Sequence, residues 1–220
     1  YDLVEILNTW HTWTAHWDTA LSHGHSVWLT ANDDAHTITD LVRVQQCAVF
    51  IHAPSTGRHD ILANIRRGAA FGVRFPETAA PTWEEKRTIA EKVSFPAGIT
   101  VRNDTLFIAW EQPMTAITFT GDHGKVLAQA ADTCAAACPV RPEDTYVRVT
   151  LEDGNGLVYY LNPVVRSLDG QQPPKQLLAK INPAATFWKR TVIAAILLLA
   201  ATGAVAIGYK KRRNARTLLS

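Results

Sequence analysis

The sequence predicts an α/β unit, a small β-sandwich after it, and one transmembrane helix near the C-terminus. Three observations carry that reading. Strand and helix signals alternate through residues 1–76, apolar residues recur with a period of two from Ile99 onward, and Thr191–Tyr209 runs nineteen residues without a charge.

The first element is Leu3-Val4-Glu5-Ile6-Leu7, a strand. Trp10, Trp13 and Trp17 then recur at spacings of three and four, which places three rings on one face of a helix reaching Leu21. Such a stripe serves helix packing or offers a stacking platform for a sugar or nucleotide. Val27–Thr30 is the next strand and runs into the turn Asn32-Asp33-Asp34-Ala35-His36. Ala48–His52 is apolar and extended. Ser55 or Thr56 then caps a helix that turns Ile61, Leu62 and Ile65 inward and stops at Gly68.

Residues 77–98 read as a connector, in which Thr82-Trp83-Glu84-Glu85 fits a capping box for a charged helix ending near Val93. Pairs such as Ile99/Val101, Leu106/Ile108, Ile117/Phe119, Val147/Val149 and Val158/Tyr160 then alternate with other residues. Turn signals separate them: Asn103-Asp104, Gly121-Asp122-His123-Gly124 and Asp153-Gly154-Asn155-Gly156. Short strands punctuated in this way predict a β-sandwich over 99–168. A linker over 169–188, a transmembrane helix over 189–210 and a basic tail over 211–220 complete the organisation.

Charge is unevenly placed. Residues 1–188 hold 15 Lys and Arg against all 20 Asp and Glu, whereas 189–220 hold seven basic residues and no acid. An acidic head disfavours nucleic acid as a partner. The uncharged run covers about 28 Å as a helix, close to the hydrocarbon thickness of a bilayer. Trp188 and Tyr209 stand at its ends, where amphipathic rings prefer the headgroups. Lys210, Lys211, Arg212, Arg213 and Arg216 follow it, against Lys189 and Arg190 before it. The positive-inside rule therefore places the tail in the cytoplasm and the head outside. Ala200, Ala204 and Gly208 form a small-residue line on which two copies could pair in the bilayer. The chain opens at Tyr1 with no initiator Met and no signal-type apolar run, on residues that already read as a strand. The expectation is the C-terminal part of a longer, exported polypeptide.

Cys47 sits in an apolar stretch and reads as a buried thiol. Cys134 and Cys138 flank three alanines, a spacing compatible with a short disulfide loop outside the cytoplasm or, more weakly, with half a zinc site.

Seven of the eight histidines fall within residues 11–59. Asp34 and His36, one residue apart just after a strand, supply a hard oxygen and an imidazole that could reach one cation. The same spacing also suits a turn in which Asp caps a helix. His23-Gly24-His25 shares the H-x-H spacing of metal sites but reads as a polar turn, and His25 stays a candidate for the cleft.

Val4-Glu5-Ile6-Leu7-Asn8, then Trp17-Asp18 through Leu21 to Gly24, then Asp33-Asp34-Ala35-His36 resemble the last strands of the polymerase-and-histidinol-phosphatase (PHP) family of metal-dependent phosphoesterases. Asp60–Gly68 resembles a helix of the same family, and Tyr146–Val149 with Asp153-Gly154 and Asn162-Pro163 resembles the closing β module of its exported members. The resemblance covers roughly residues 1–166. It implies the C-terminal part of a distorted (β/α)7 barrel binding two or three divalent ions (Mn, Fe or Zn), with Asp34 and His36 as the last two ligands. Earlier ligands would precede Tyr1. Asp33 would accept a hydrogen bond from His36 and fix its tautomer, while Glu5 and Asn8 match the pattern as cleft-lining or structural residues. The implied substrate is a phosphorylated small molecule or other phosphoester. The alternative is a membrane-anchored scaffold or sensor that has lost catalysis.

Overall fold

This computed structural model describes residues 2–78, 81–167 and 183–217, with side chains as far as Gly203. Leu3–Asn8 (β1) is followed by the two-residue strand His11–Thr12 (β2), helix Thr14–Ser22 (α1) and strand Trp28–Ala31 (β3). β2 folds back antiparallel on β1, and β3 pairs with β1 in parallel, with α1 as the crossover. A register shift between Glu5 and Leu7 lets both Ile6 and Leu7 turn inward, where each is fully buried.

The tryptophan stripe does not form. Trp13 N donates to Ile6 O at 2.8 Å and draws residues 10–13 into the hairpin, so the helix starts only at Thr14. Trp10 and Trp13 stay 55% and 38% exposed, while Trp17 is buried and donates through Nε1 to Val27 O at 3.0 Å. Gly24 follows the helix with a φ of +80°, the left-handed geometry that lets the chain turn back towards β3.

Cys47–Ile51 (β4), Arg58–Arg66 (α2), Ala70–Arg74 (β5) and Trp83–Ala90 (α3) come next. The capping box on α3 is present: Glu85 N donates to Thr82 Oγ1, and Thr82 N donates to Glu85 Oε2. The remaining strands are Pro96–Arg102 (β6), Thr105–Met114 (β7), Ala116–Thr120 (β8), Val126–Ala130 (β9), Thr133–Pro139 (β10), Tyr146–Glu152 (β11), Val158–Leu161 (β12) and Val164–Val165 (β13). Asn103 and Asp104, between β6 and β7, both take left-handed φ (48° and 52°), as a tight two-residue hairpin requires.

The described strands make a mixed α/β architecture of three open sheets, with no closed barrel among the described residues. β2-β1-β3 is the first and β10-β7-β6 the second. The largest runs β4-β5-β12-β11-β8-β9, with β13 on β11, and every pair in it is antiparallel. β5 pairs with β12 from Phe71 opposite Leu161 to Arg74 opposite Val158, so strands from both sides of the 77–98 connector share one sheet.

Two apolar cores result. Ile108 and Trp110 on β7 pack with Phe119, Val149, Leu151 and Tyr159 of the large sheet. Ile6, Leu7, Trp17, Leu21 and Leu29 of the first sheet and α1 pack with Cys47 and Tyr146. Gly72 on β5 permits a close approach: a Cβ there would lie 2.8 Å from Leu29 Cδ1 and 2.9 Å from Leu7 Cδ1.

Cys134 and Cys138 are both free thiols, and both lie on β10. Four residues of extended strand hold them roughly 13 Å apart, beyond disulfide reach.

The chain divides into two units, residues 1–176 and 177–220. Most of the expected linker lies outside the described residues. In the second unit the helix Pro183–Thr217 (α4) begins ahead of the expected span and continues into the basic segment. Its part Pro183–Gly203 is 21 residues of mean hydropathy 1.5 with no buried share, long and apolar enough to cross a membrane.

Candidate functional site

Because β1 and β3 run parallel, their C-terminal ends share one edge. Glu5 and Asn8 reach it from β1, and Asn32, Asp33, Asp34 and His36 follow β3. Asn8 Nδ2 donates to Glu5 Oε1 at 2.8 Å, and the Asn32 amide donates to the other Glu5 oxygen. Asn32 Oδ1 in turn accepts from Asp34 N at 2.9 Å. That contact closes an Asx turn and accompanies a left-handed φ of 49° at Asp34, an uncommon conformation for a residue with a Cβ. The chain thus bends sharply at Asp34, at the end of β3.

The Asp34 and His36 side chains are both exposed, and neither has a hydrogen bond or ion pair among the described residues. Asp33 is differently employed. Its carboxylate accepts from the backbone N–H groups of Gln45 (2.6 Å), Gln46 (2.7 Å) and Cys47 (2.8 Å), and Thr9 Oγ1 donates to its carbonyl. Asp33 therefore ties the turn to the start of β4, and its oxygens engage these donors rather than His36. His25 lies at the opposite end of β3. Its ring stacks 6.4 Å from that of His23, whose Nδ1 donates to Thr19 O.

Two cations border this edge that sequence reading did not find. Arg74, at the end of β5, donates through Nη2 to Asn8 O (2.6 Å) and His11 O (2.9 Å). The Arg43 guanidinium lies 4.5 Å over the Trp10 ring and pairs with Asp40 at 3.2 Å. Trp10, Arg43, Gln46 and Glu77 line a cleft of about 500 Å³ beside the turn. Arg74 reaches the edge through its bonds to β1 and β2, and Arg43 through its contact with Trp10, both distant in sequence.

The loop behind the site is fixed from α3. Lys86 is only 5% exposed, its ammonium donates to Val44 O, and Gln45 Nε2 donates to Lys86 O at 2.7 Å. Burial pushes the Lys86 pKa down, and the Asp33 charge partly restores it. Burial likewise pushes the Cys47 thiol up to about 11; Arg74 opposes this, and the Asp33 and Glu5 carboxylates add to it.

Asp34 and His36 are the donor types of a Mn, Fe or Zn centre. Among the described residues no group of three or more His, Cys, Asp or Glu is placed to hold an ion. Asp34 and His36 therefore complete no cation site by themselves among the described residues. Compared with protein-family models, curated proteins and solved structures, the chain has no significant match.

Proposed function

We propose that this chain is the C-terminal part of a membrane-tethered, metal-dependent phosphoesterase of the PHP type, with Asp34 and His36 as two of its cation ligands. One observation carries the reading. The ends of two parallel strands bring Glu5, Asn8 and Asn32 to a single edge, and a constrained turn just beyond it presents an exposed carboxylate and imidazole without a partner among the described residues. Parallel α/β sheets place their chemistry at that end of the strands. In this reading β1, α1 and β3 belong to a distorted barrel, and the β-sandwich module takes in β4 and β5 together with the strands of residues 99–168.

Bound divalent ions would supply an activated water and a clamp on the phosphate oxygens. The chain's own residues set the geometry for them. Asp34 offers a charged oxygen and His36 a neutral nitrogen. Asp33 holds the turn against β4, and the amides of Asn8 and Asn32 hold Glu5 in place. Arg43, poised over Trp10, offers a cation to a phosphate entering the neighbouring cleft. α4 anchors the head to the bilayer, outside the cytoplasm, with the basic tail inside; its small-residue line is the surface for a homodimer.

The complete protein, assayed on p-nitrophenyl phosphate, should hydrolyse it, lose that activity to a chelator, and lose it in the Asp34→Ala/His36→Ala double variant. Undiminished hydrolysis in the double variant would remove the assignment. A complete protein with no activity at all would favour the scaffold or sensor.

A further inference from the structure

A second concavity, of about 630 Å³, lies between the edge of the large sheet, β6 and the turn after α2. Its size is that of a small-molecule site. Phe50 and Phe71 stack at 5.4 Å with an interplanar angle of 9°, and Phe95 stands edge-on to both at 77°. Trp28 and Ile99 complete the apolar wall. Phe95 and Ile99 remain 43% and 45% exposed at this cleft, so large apolar surface there faces solvent.

The polar groups of the cleft are mostly spent. Asn162 Nδ2 donates to Gly68 O and Ala70 O, each at 3.0 Å, and its Oδ1 accepts from Leu29 N. Ala69 O accepts from His52 N, and Arg66 O accepts from Trp28 Nε1. What is left is the exposed His52 ring and the exposed Arg67 guanidinium, which commits Nη2 to Asn64 Oδ1 at 2.6 Å and keeps its other N–H groups. No Asp or Glu is among the described residues lining the cleft.

We infer that this cleft binds a small aromatic anion, its ring against the wall that Phe50, Phe95 and Ile99 present and its charge on Arg67. Edge-to-face and stacked walls favour a planar ring over an aliphatic chain. A guanidinium with no carboxylate among the described residues lining the cleft selects negative charge, through hydrogen bonds stronger than those between neutral groups. The cleft and its occupant are independent of the Asp34 and His36 edge.

The test uses the full chain in lipid nanodiscs and equilibrium dialysis of 2-naphthalenesulfonate against its neutral sulfonamide, with empty nanodiscs correcting for partition. The sulfonate should bind saturably, one per chain, and roughly tenfold tighter than the sulfonamide. Arg67→Gln should weaken the sulfonate about tenfold and leave the sulfonamide unchanged. Ile99→Glu, also on exposed surface, should weaken the sulfonate more than the sulfonamide. Circular dichroism checks that each variant is folded. Equal affinity for the two probes, wild-type sulfonate binding by Arg67→Gln, or no saturable binding would overturn the inference.

Discussion

The Asp18 carboxylate meets the Arg148 guanidinium through two hydrogen bonds, Nε to Oδ1 at 2.6 Å and Nη2 to Oδ2 at 2.7 Å, with side chains only 7% and 8% exposed. Tyr146 Oη donates to the same Oδ1 at 2.8 Å. The pair joins α1 to β11 across 130 residues of sequence, so it fastens the parallel unit to the large sheet. Removing one partner strands a buried charge, whereas replacing both need not.

Asp18→Asn should therefore cost about 3–5 kcal/mol in urea unfolding of the full chain. The Asp18→Leu/Arg148→Met double variant should lose clearly less than either Asp18→Asn or Arg148→Met alone. Additive losses would show that the pair does not act as a unit.

The three thiols should separate by reactivity. Cys134 is exposed and free, while Cys47 and Cys138 are buried and pushed up in pKa by that burial. At pH 7.5 iodoacetamide should alkylate Cys134 in the native chain and reach the other two only on unfolding. Cys47 also ties stability to alkaline pH. Its folded pKa, about 11, lies above its ordinary 9.0, so its contribution is whole below pH 9 and is lost as pH rises through 11. Cys47→Ala should flatten that part of the profile, measured by urea midpoints.

Much of this architecture was legible because it is local. The Thr82–Glu85 box, the strand at Leu3–Asn8 and the β6–β7 turn at Asn103-Asp104 each depend on a few neighbouring residues. Trp17, Asp18 and Leu21 are close in sequence too, but their jobs are long-range: Trp17 bonds Val27 O, Asp18 grips Arg148, and Leu21 enters a core with Tyr146. The pairing of β5 with β12 was illegible for the same reason. So was the employment of Asp33 as a backbone tie, since a D-D-A-H string does not say which carboxylate its own loop will consume. At the other extreme, three tryptophans at helical spacing met a stronger competitor, the hydrogen bond from Trp13 N to Ile6 O, which starts the helix late.

Cys134 also offers a test of the proposed membrane orientation. A membrane-impermeant maleimide added to intact cells should label it, and Cys134→Ser should abolish the signal. Labelling only after lysis would reverse the orientation drawn from the basic residues after the span.

Asp34 and His36 are proposed to share a cation, and metal analysis of the purified protein decides whether they do. Roughly stoichiometric Mn, Fe or Zn should be present, and the Asp34→Ala/His36→Ala variant, folded by circular dichroism, should lose at least part of it. The same metal content in both proteins would mean that these two side chains hold no ion.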